Sequence, residues 1–178
     1  KLSDEIEDQI ENLVLEHQDR VCLKTGVDLG RVYLMSDAVG DYIQHLVATV
    51  PNDLAGLRVA VDCANGSASA TAQLLFEALG VEAVAIHDKP DGTNINRACG
   101  STHLKSLQEF VVSQGCDLGV AFDGDADRCL AVDENGQLVD GDRLIAIFAN
   151  AFAEQGTLKQ NTVVVTVMTN LGFFHFAK

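Results

Sequence analysis

The chain has 178 residues, of which 47% are hydrophobic, and a formal net charge of −14. That is enough apolar material for a core, too much for a disordered segment, and room for one ordinary domain with attached pieces. The charge disfavours a nucleic-acid partner bound through a basic surface, and no apolar run is long enough to span a bilayer, so neither nucleic acid nor membrane is expected as a partner.

The first element predicted is a helix. Leu2, Ile6, Ile10, Leu13 and Val14 recur at helical spacing between acids, with Ser3 placed as N-cap. This acidic amphipathic start is not a secretory signal. Five cysteines, an odd number with no C-x-x-C pair, argue against a disulfide framework or a zinc site and for a reducing cytoplasm. Gly26 to Gly30 reads as a loop and Arg31 to Met35 as a short strand. Ser36 is placed as the cap of a second helix with Val39, Ile43, Leu46, Val47 and Val50 on its apolar face. Pro51-Asn52-Asp53 makes the first clear break.

Beyond the break, strands and helices alternate. Leu57 to Cys63 is an apolar strand, and Asn65-Gly66-Ser67 turns it into a helix with Ala68, Ala72, Leu75, Phe76 and Leu79 on one face. Gly80 fits the left-handed helix end. Val81 to Ile86 is the next strand, and Ser101 or Thr102 caps a helix carrying Leu104, Leu107 and Val111 that Gly115 stops. Leu118 to Phe122 is a third strand. Strand–helix–strand units of this length predict parallel strands joined by right-handed crossovers. Arg128 to Val132 and Gln137 to Val139 then flank Asp133-Glu134-Asn135-Gly136, and Asn-Gly predicts a hairpin that adds antiparallel strands at the edge. Asp140 or Gly141 opens a helix with Leu144, Ile145, Phe148 and Phe152 inward. Thr162 to Val167 reads as a further strand, followed by a turn at 169–172 into another helix. Both ends read as cut edges of a longer protein.

The informative segment is Asp123-Gly124-Asp125-Ala126-Asp127-Arg128, at the end of the third strand. Three alternate carboxylates repel one another, and a divalent cation removes that cost. The small Gly and Ala spacers let one oxygen from each acid turn toward a single hard ion, and three carboxylates leave coordination positions open, as Mg²⁺ prefers. Arg128 adds a fixed positive charge suited to a phosphoryl group. A solvated acidic turn explains D-G-D alone less well once the third acid, the Arg and the preceding buried strand are counted. An EF-hand loop would put Glu134 at its twelfth position, but its sixth needs glycine and holds Arg128. A haloacid-dehalogenase-type phosphatase, with Asp123 as nucleophile and Asp125 as acid, is the distant alternative. Its pattern has Thr or Val where Asp127 stands.

These residues resemble the metal loop of the α-D-phosphohexomutases, and the Asp-Ala-Asp form is similar to the branch that acts on glucosamine phosphates. Residues 61–66, 92–96, 99–103, 139–142 and 167–172 carry further likeness. The resemblance implies a four-domain enzyme: 1–52 as the tail of domain 1, 53–158 as domain 2, and 159–178 as the start of domain 3. The fold implied is α/β, a three-layer α/β/α domain with a mixed, mainly parallel sheet and partial flanking domains. The activity implied is interconversion of glucosamine 6-phosphate and glucosamine 1-phosphate, a bacterial cell-wall precursor step, through a phosphoserine and a sugar bisphosphate. Asp123, Asp125 and Asp127 would hold Mg²⁺, and Arg128 would stabilise the transferring group. The substrate would be a sugar phosphate bound with domains missing from this chain.

The family's Ser-His-Asn-Pro nucleophile segment and its sugar-recognition loop are absent from the sequence, so this piece alone is expected to be inactive. Phosphomannomutase or phosphoglucomutase activity and a non-catalytic interaction module stay open as alternatives. His103 is placed at a helix start in a capping or surface role. Ser67 and Ser69 cap a helix or meet an anion there. Asp140 and Asp142 either cap a helix or support the metal loop, and Asn94 and Asn96 shape their loop.

Overall fold

The structure is a computed structural model that describes residues 2–51 and 53–177. Lys1, Lys178 and Asn52, the middle of the break expected at 51–53, lie outside the described residues. The chain divides into two compact units, Lys1–Ser36 and Asp37–Lys178.

The first unit holds helix α1 (Asp4–Leu15) and two single 3₁₀ turns, Gln18–Arg20 and Gly26–Asp28. Asp4, Glu5 and Glu7 occupy the first turn of α1, where the helix dipole favours negative charge. Its apolar stripe, including Ile6 and Ile10, faces solvent. The strand expected at Arg31–Met35 is not formed. This stretch is open backbone with Val32 and Leu34 exposed, because no neighbouring strand completes a ladder with it.

The second unit carries helix α2 (Ala38–Val47), strand β1 (Arg58–Asp62), helix α3 (Ala72–Ala78), strand β2 (Glu82–Ile86), helix α4 (Lys105–Gln114) and strand β3 (Leu118–Phe122). Strands β4 (Cys129–Asp133) and β5 (Leu138–Val139) and helices α5 (Gly141–Glu154) and α6 (Leu171–Phe176) follow. The sheet order is β2-β1-β3-β4-β5. β1 lies parallel to both β2 and β3, while β4 and β5 continue antiparallel. Side-chain alternation along β1 feeds two cores. Val59 and Val61 pack with Cys63, Ala68 and Ala72 on the α3 side. Ala60 packs with Leu107, Val111, Ala121 and Val132 on the α4 side. The result is the expected three-layer α/β/α domain.

Local departures have local causes. The helix expected from residue 67 onward is broken into a 3₁₀ turn (Ser67–Ala70) and α3, with Thr71 at φ −127° between them. Helix α4 starts at Lys105 rather than at Ser101 or Thr102, because the Ser101 N–H is drawn to the Phe122 carbonyl at 2.9 Å. Gly115 ends α4 at φ +62°, as its position predicts. Asp140 caps α5 by accepting the Arg143 N–H at 2.9 Å. The strand expected at 162–167 is not formed among the described residues, whereas the helix after it is α6, capped by Asn170.

All five cysteines are unpaired: Cys63, Cys99 and Cys116 are buried, and Cys22 and Cys129 are exposed. Burial, helped by the charges of Asp88 and Asp62, pushes the Cys63 thiol up to about 12. Burial also raises Cys99, Cys116 and Cys129. The thiolate is the reactive form, so native protein treated with Ellman's reagent at pH 8 is expected to show one fast thiol and one slow one. Cys22→Ser should remove the fast phase, and the three buried thiols should appear only in denaturant. Rapid native reaction of four or five thiols would contradict this core.

Candidate metal centre

The strand order 2-1-3 places the site. The β1–α3–β2 connection leaves β1 to one side and the β2–α4–β3 connection crosses to the other, so the helices cover opposite faces. Between β1 and β3 the chain reverses its direction of travel across the sheet. The crevice beyond the carboxyl ends of strands at such a point is where open α/β sheets bind ligands. Asp123 is the first residue beyond β3, so the acidic loop begins at that crevice.

The loop is a tight turn. The Ala126 N–H donates to the Asp123 carbonyl at 3.1 Å, and Ala126 takes the left-handed conformation at φ +58°. The Arg128 N–H donates to Asp123 Oδ1 at 3.1 Å. This geometry brings one oxygen each from Asp123, Asp125 and Asp127 within 4.8 Å of one another. Asp123 is partly covered, and Asp125 and Asp127 are exposed. Arg128 Nε lies 3.7 Å from both Asp123 Oδ2 and Asp127 Oδ1, with the guanidinium largely in solvent.

The loop is clamped from behind. The Gly124 carbonyl accepts the Ser67 N–H at 2.9 Å. A Cβ on Gly124 would lie 2.6 Å from Ile95 Cδ1 and 2.8 Å from Asn96 Nδ2. The loops after β1 and before α4 therefore pack against the middle of the acidic turn, and only glycine allows that approach.

The electrostatics are those of crowded like charges. The charges of Asp125 and then Asp123 raise the Asp127 carboxyl. Partial burial pushes Asp123 upward, but the Arg128 N–H, a hydrogen bond with Asp127 and the Arg128 charge outweigh it and hold Asp123 below the usual carboxylate range. One nearby guanidinium does not neutralise three crowded acids. The donor set fits Mg²⁺. An octahedral ion with bonds of about 2.0–2.1 Å sets its oxygens roughly 3 to 4.2 Å apart, a span that three oxygens already within 4.8 Å reach with small side-chain rotations.

A second group, Asp62, His87 and Cys99, also lies within 4.8 Å. It was not singled out from the sequence, and only the buried acid ending an apolar strand hinted at it. Asp62 is fully buried, and its two oxygens already accept the N–H groups of Ala64 and Gly100, each at 2.9 Å.

The other sequence candidates resolve simply. Ser67 gives its N–H to Gly124, so this N–H is committed to the acidic loop. Thr102 Oγ1 lies 3.1 Å from His103 Nδ1 at the surface. Asp142 accepts the Asn170 N–H at 3.0 Å. Asn94 bridges its own loop, donating to the Lys89 carbonyl at 2.9 Å and accepting from the Asp91 N–H at 3.0 Å.

Residues 40–136 match the phosphoglucomutase/phosphomannomutase alpha/beta/alpha domain II, and residues 140–178 match domain III. The chain belongs to the phosphoglucomutase/phosphomannomutase family. Within the family, phosphoglucosamine mutase from Acetivibrio thermocellus is 48% identical over 178 residues, all of this chain and 40% of that protein. Phosphoglucosamine mutase from Clostridium novyi is 51% identical over 172 residues, 97% of this chain and 38% of that protein. The chain thus spans about 40% of the length of such relatives. A solved family member from Burkholderia thailandensis superposes with a TM-score of 0.65 at 28% identity, covering 87% of this chain and 33% of that one. Family membership sets aside the phosphatase alternative.

The two family matches meet between 136 and 140, ahead of α5, and the first begins at 40, inside α2. The boundaries drawn from sequence stand at 52 and 158. Helix α2 packs on α3, and α5 packs on α6. No helix among the described residues is long and apolar enough to cross a membrane.

Proposed function

We propose that this chain supplies the Mg²⁺-binding domain of a mutase that interconverts glucosamine 6-phosphate and glucosamine 1-phosphate through a phosphoserine and a sugar bisphosphate. The observation that carries this reading is the convergence of Asp123, Asp125 and Asp127 at the crevice beyond β3. The shared name of the relatives at about half identity supports the choice of sugar. The five unpaired thiols support a reducing cytoplasm as the compartment. Residues ahead of 40 are read as the end of a preceding domain.

When bound, Mg²⁺ supplies positive charge beside the transferring phosphoryl group. Asp123, Asp125 and Asp127 would hold the ion, and the waters and phosphate oxygens it prefers would fill the positions they leave open. Arg128, the cation at the rim of the loop, would offer guanidinium N–H groups to phosphoryl oxygens. Catalysis in phosphoryl transfer is mostly positioning and electrostatics, and a rigid acidic turn clamped by two loops suits that task.

The full-length parent is expected to convert glucosamine 6-phosphate to glucosamine 1-phosphate, to stop when treated with EDTA and to recover with Mg²⁺. The 178-residue chain is expected to turn over neither the sugar phosphates nor p-nitrophenyl phosphate. A parent active on mannose phosphates in preference to glucosamine phosphates would overturn the choice of sugar. A parent inactive on every hexose phosphate would favour the interaction-module reading.

A further inference from the structure

The fully buried carboxylate of Asp62 takes no part in the metal centre described above, and its bonds reach beyond its own loop. A local turn accounts for only one of its oxygens, since Oδ1 accepts the N–H of Ala64, two residues ahead, at 2.9 Å. Oδ2 reaches across 38 residues to the Gly100 N–H at 2.9 Å. His87 Nδ1 faces Oδ1 at 3.1 Å from the end of β2. Asp62 therefore ties the loops after β1 and β2 to the segment that precedes α4.

Those tied segments are the ones that grip the acidic loop. The Ser67 N–H donates to the Gly124 carbonyl and the Ser101 N–H to the Phe122 carbonyl, each at 2.9 Å. Phe122 and Gly124 are the two neighbours of Asp123. The Asn96 N–H meets the Ala64 carbonyl at 2.9 Å, closing the network between the two loops. Several of these residues sit in the left-handed region: Ala64 at φ +52°, Ala98 at φ +53° and Gly100 at φ +74°. Non-glycine residues hold such conformations only where surrounding contacts over-determine them.

We propose that Asp62, faced by His87, is a positioning residue that fixes the backbone on both sides of Asp123 and so sets the affinity of the metal loop. This inference rests on the metal reading above. Asp62 touches none of the three acids and acts through Ala64, Gly100 and the segments they anchor.

The test is an electron paramagnetic resonance titration of the 178-residue chain with Mn²⁺ as probe. Asp62→Asn keeps the volume but leaves one carbonyl oxygen for two N–H donors. It is expected to weaken Mn²⁺ binding by about tenfold, the lower end of what outer partners of metal ligands contribute. Val132→Ala, in the core on the α4 side, is the control: it should lower the melting temperature and leave Mn²⁺ affinity unchanged. Wild-type affinity in Asp62→Asn, or an equal loss in Val132→Ala, would overturn the proposal. Absence of Mn²⁺ binding by the wild type would overturn the metal reading and this inference with it. Should Asp62→Asn not fold, His87→Ala carries the test, with an expected loss smaller than tenfold in the same direction; unchanged affinity there would overturn the proposal.

Discussion

Replacing Asp125 with asparagine is expected to remove most of the metal-dependent stabilisation of this chain while leaving the metal-free protein no less stable than the parent. The two halves of that expectation have one cause. The Asp125 charge is the main influence raising the Asp127 carboxyl, so without an ion it acts as a repulsive neighbour. Asparagine removes the repulsion and keeps one oxygen, but a neutral amide oxygen is a poorer ligand for a hard dication. Wild-type chain in Mg²⁺ at ten times its dissociation constant should melt roughly 3–6 °C higher than in EDTA. That constant is expected on the order of millimolar, because Mg²⁺ gives up its waters reluctantly. Asp125→Asn should lose most of this rise, with affinity reduced by about tenfold or more, since a direct ligand matters at least as much as its outer partners. Thermal melts in EDTA, Mg²⁺ and Ca²⁺ check both halves. A fall in metal-free stability on substitution would mean the acids are held together by something other than a missing cation.

The acidic loop was legible because its chemistry is local. Alternate acids with small spacers after an apolar strand announce in sequence a turn that gathers carboxylates, and one oxygen each from Asp123, Asp125 and Asp127 lies within 4.8 Å of the others. β3 was legible for a similar reason: a short apolar run bounded by Asp117 and Asp123 has one natural reading. The misread segments are those where a partner decides. Residues 31–35 and 162–167 have strand composition, but a strand exists only when a neighbour accepts its ladder. Ser101 has the composition of a helix cap, yet its N–H serves the Phe122 carbonyl 21 residues away, a pairing that no local pattern announces. Asp62 is the clearest case. In sequence it is one acid ending a strand, and its reach to Gly100 exists only once β1 and β3 lie side by side.

Gly66→Ala is expected to destabilise the chain by about 3 kcal/mol and to remove metal binding together with stability, from a single added methyl group. A Cβ on Gly66 would stand 2.7 Å from the Gly124 Cα and 2.8 Å from its carbonyl carbon. These are backbone atoms, so no side-chain rotation relieves the overlap. Gly124 has no room to retreat, because its outer side is filled by Ile95 and Asn96. The only escape separates the two loops, which breaks the hydrogen bond from the Ser67 N–H to the Gly124 carbonyl and shifts Asp123 and Asp125 on either side of it. Overpacking of about 1–3 kcal/mol and a lost hydrogen bond of about 0.5–1.5 kcal/mol combine to the figure above, a melting-temperature fall of roughly 6–12 °C. Gly40→Ala supplies the contrast. Gly40 lies within α2 with nothing near its added Cβ, so there the same substitution should stabilise by up to about 1 kcal/mol through helix propensity. If Gly66→Ala melted like the parent and still bound Mg²⁺, the close apposition of the β1 and β3 loops, on which the placement of all three acids depends, would be wrong.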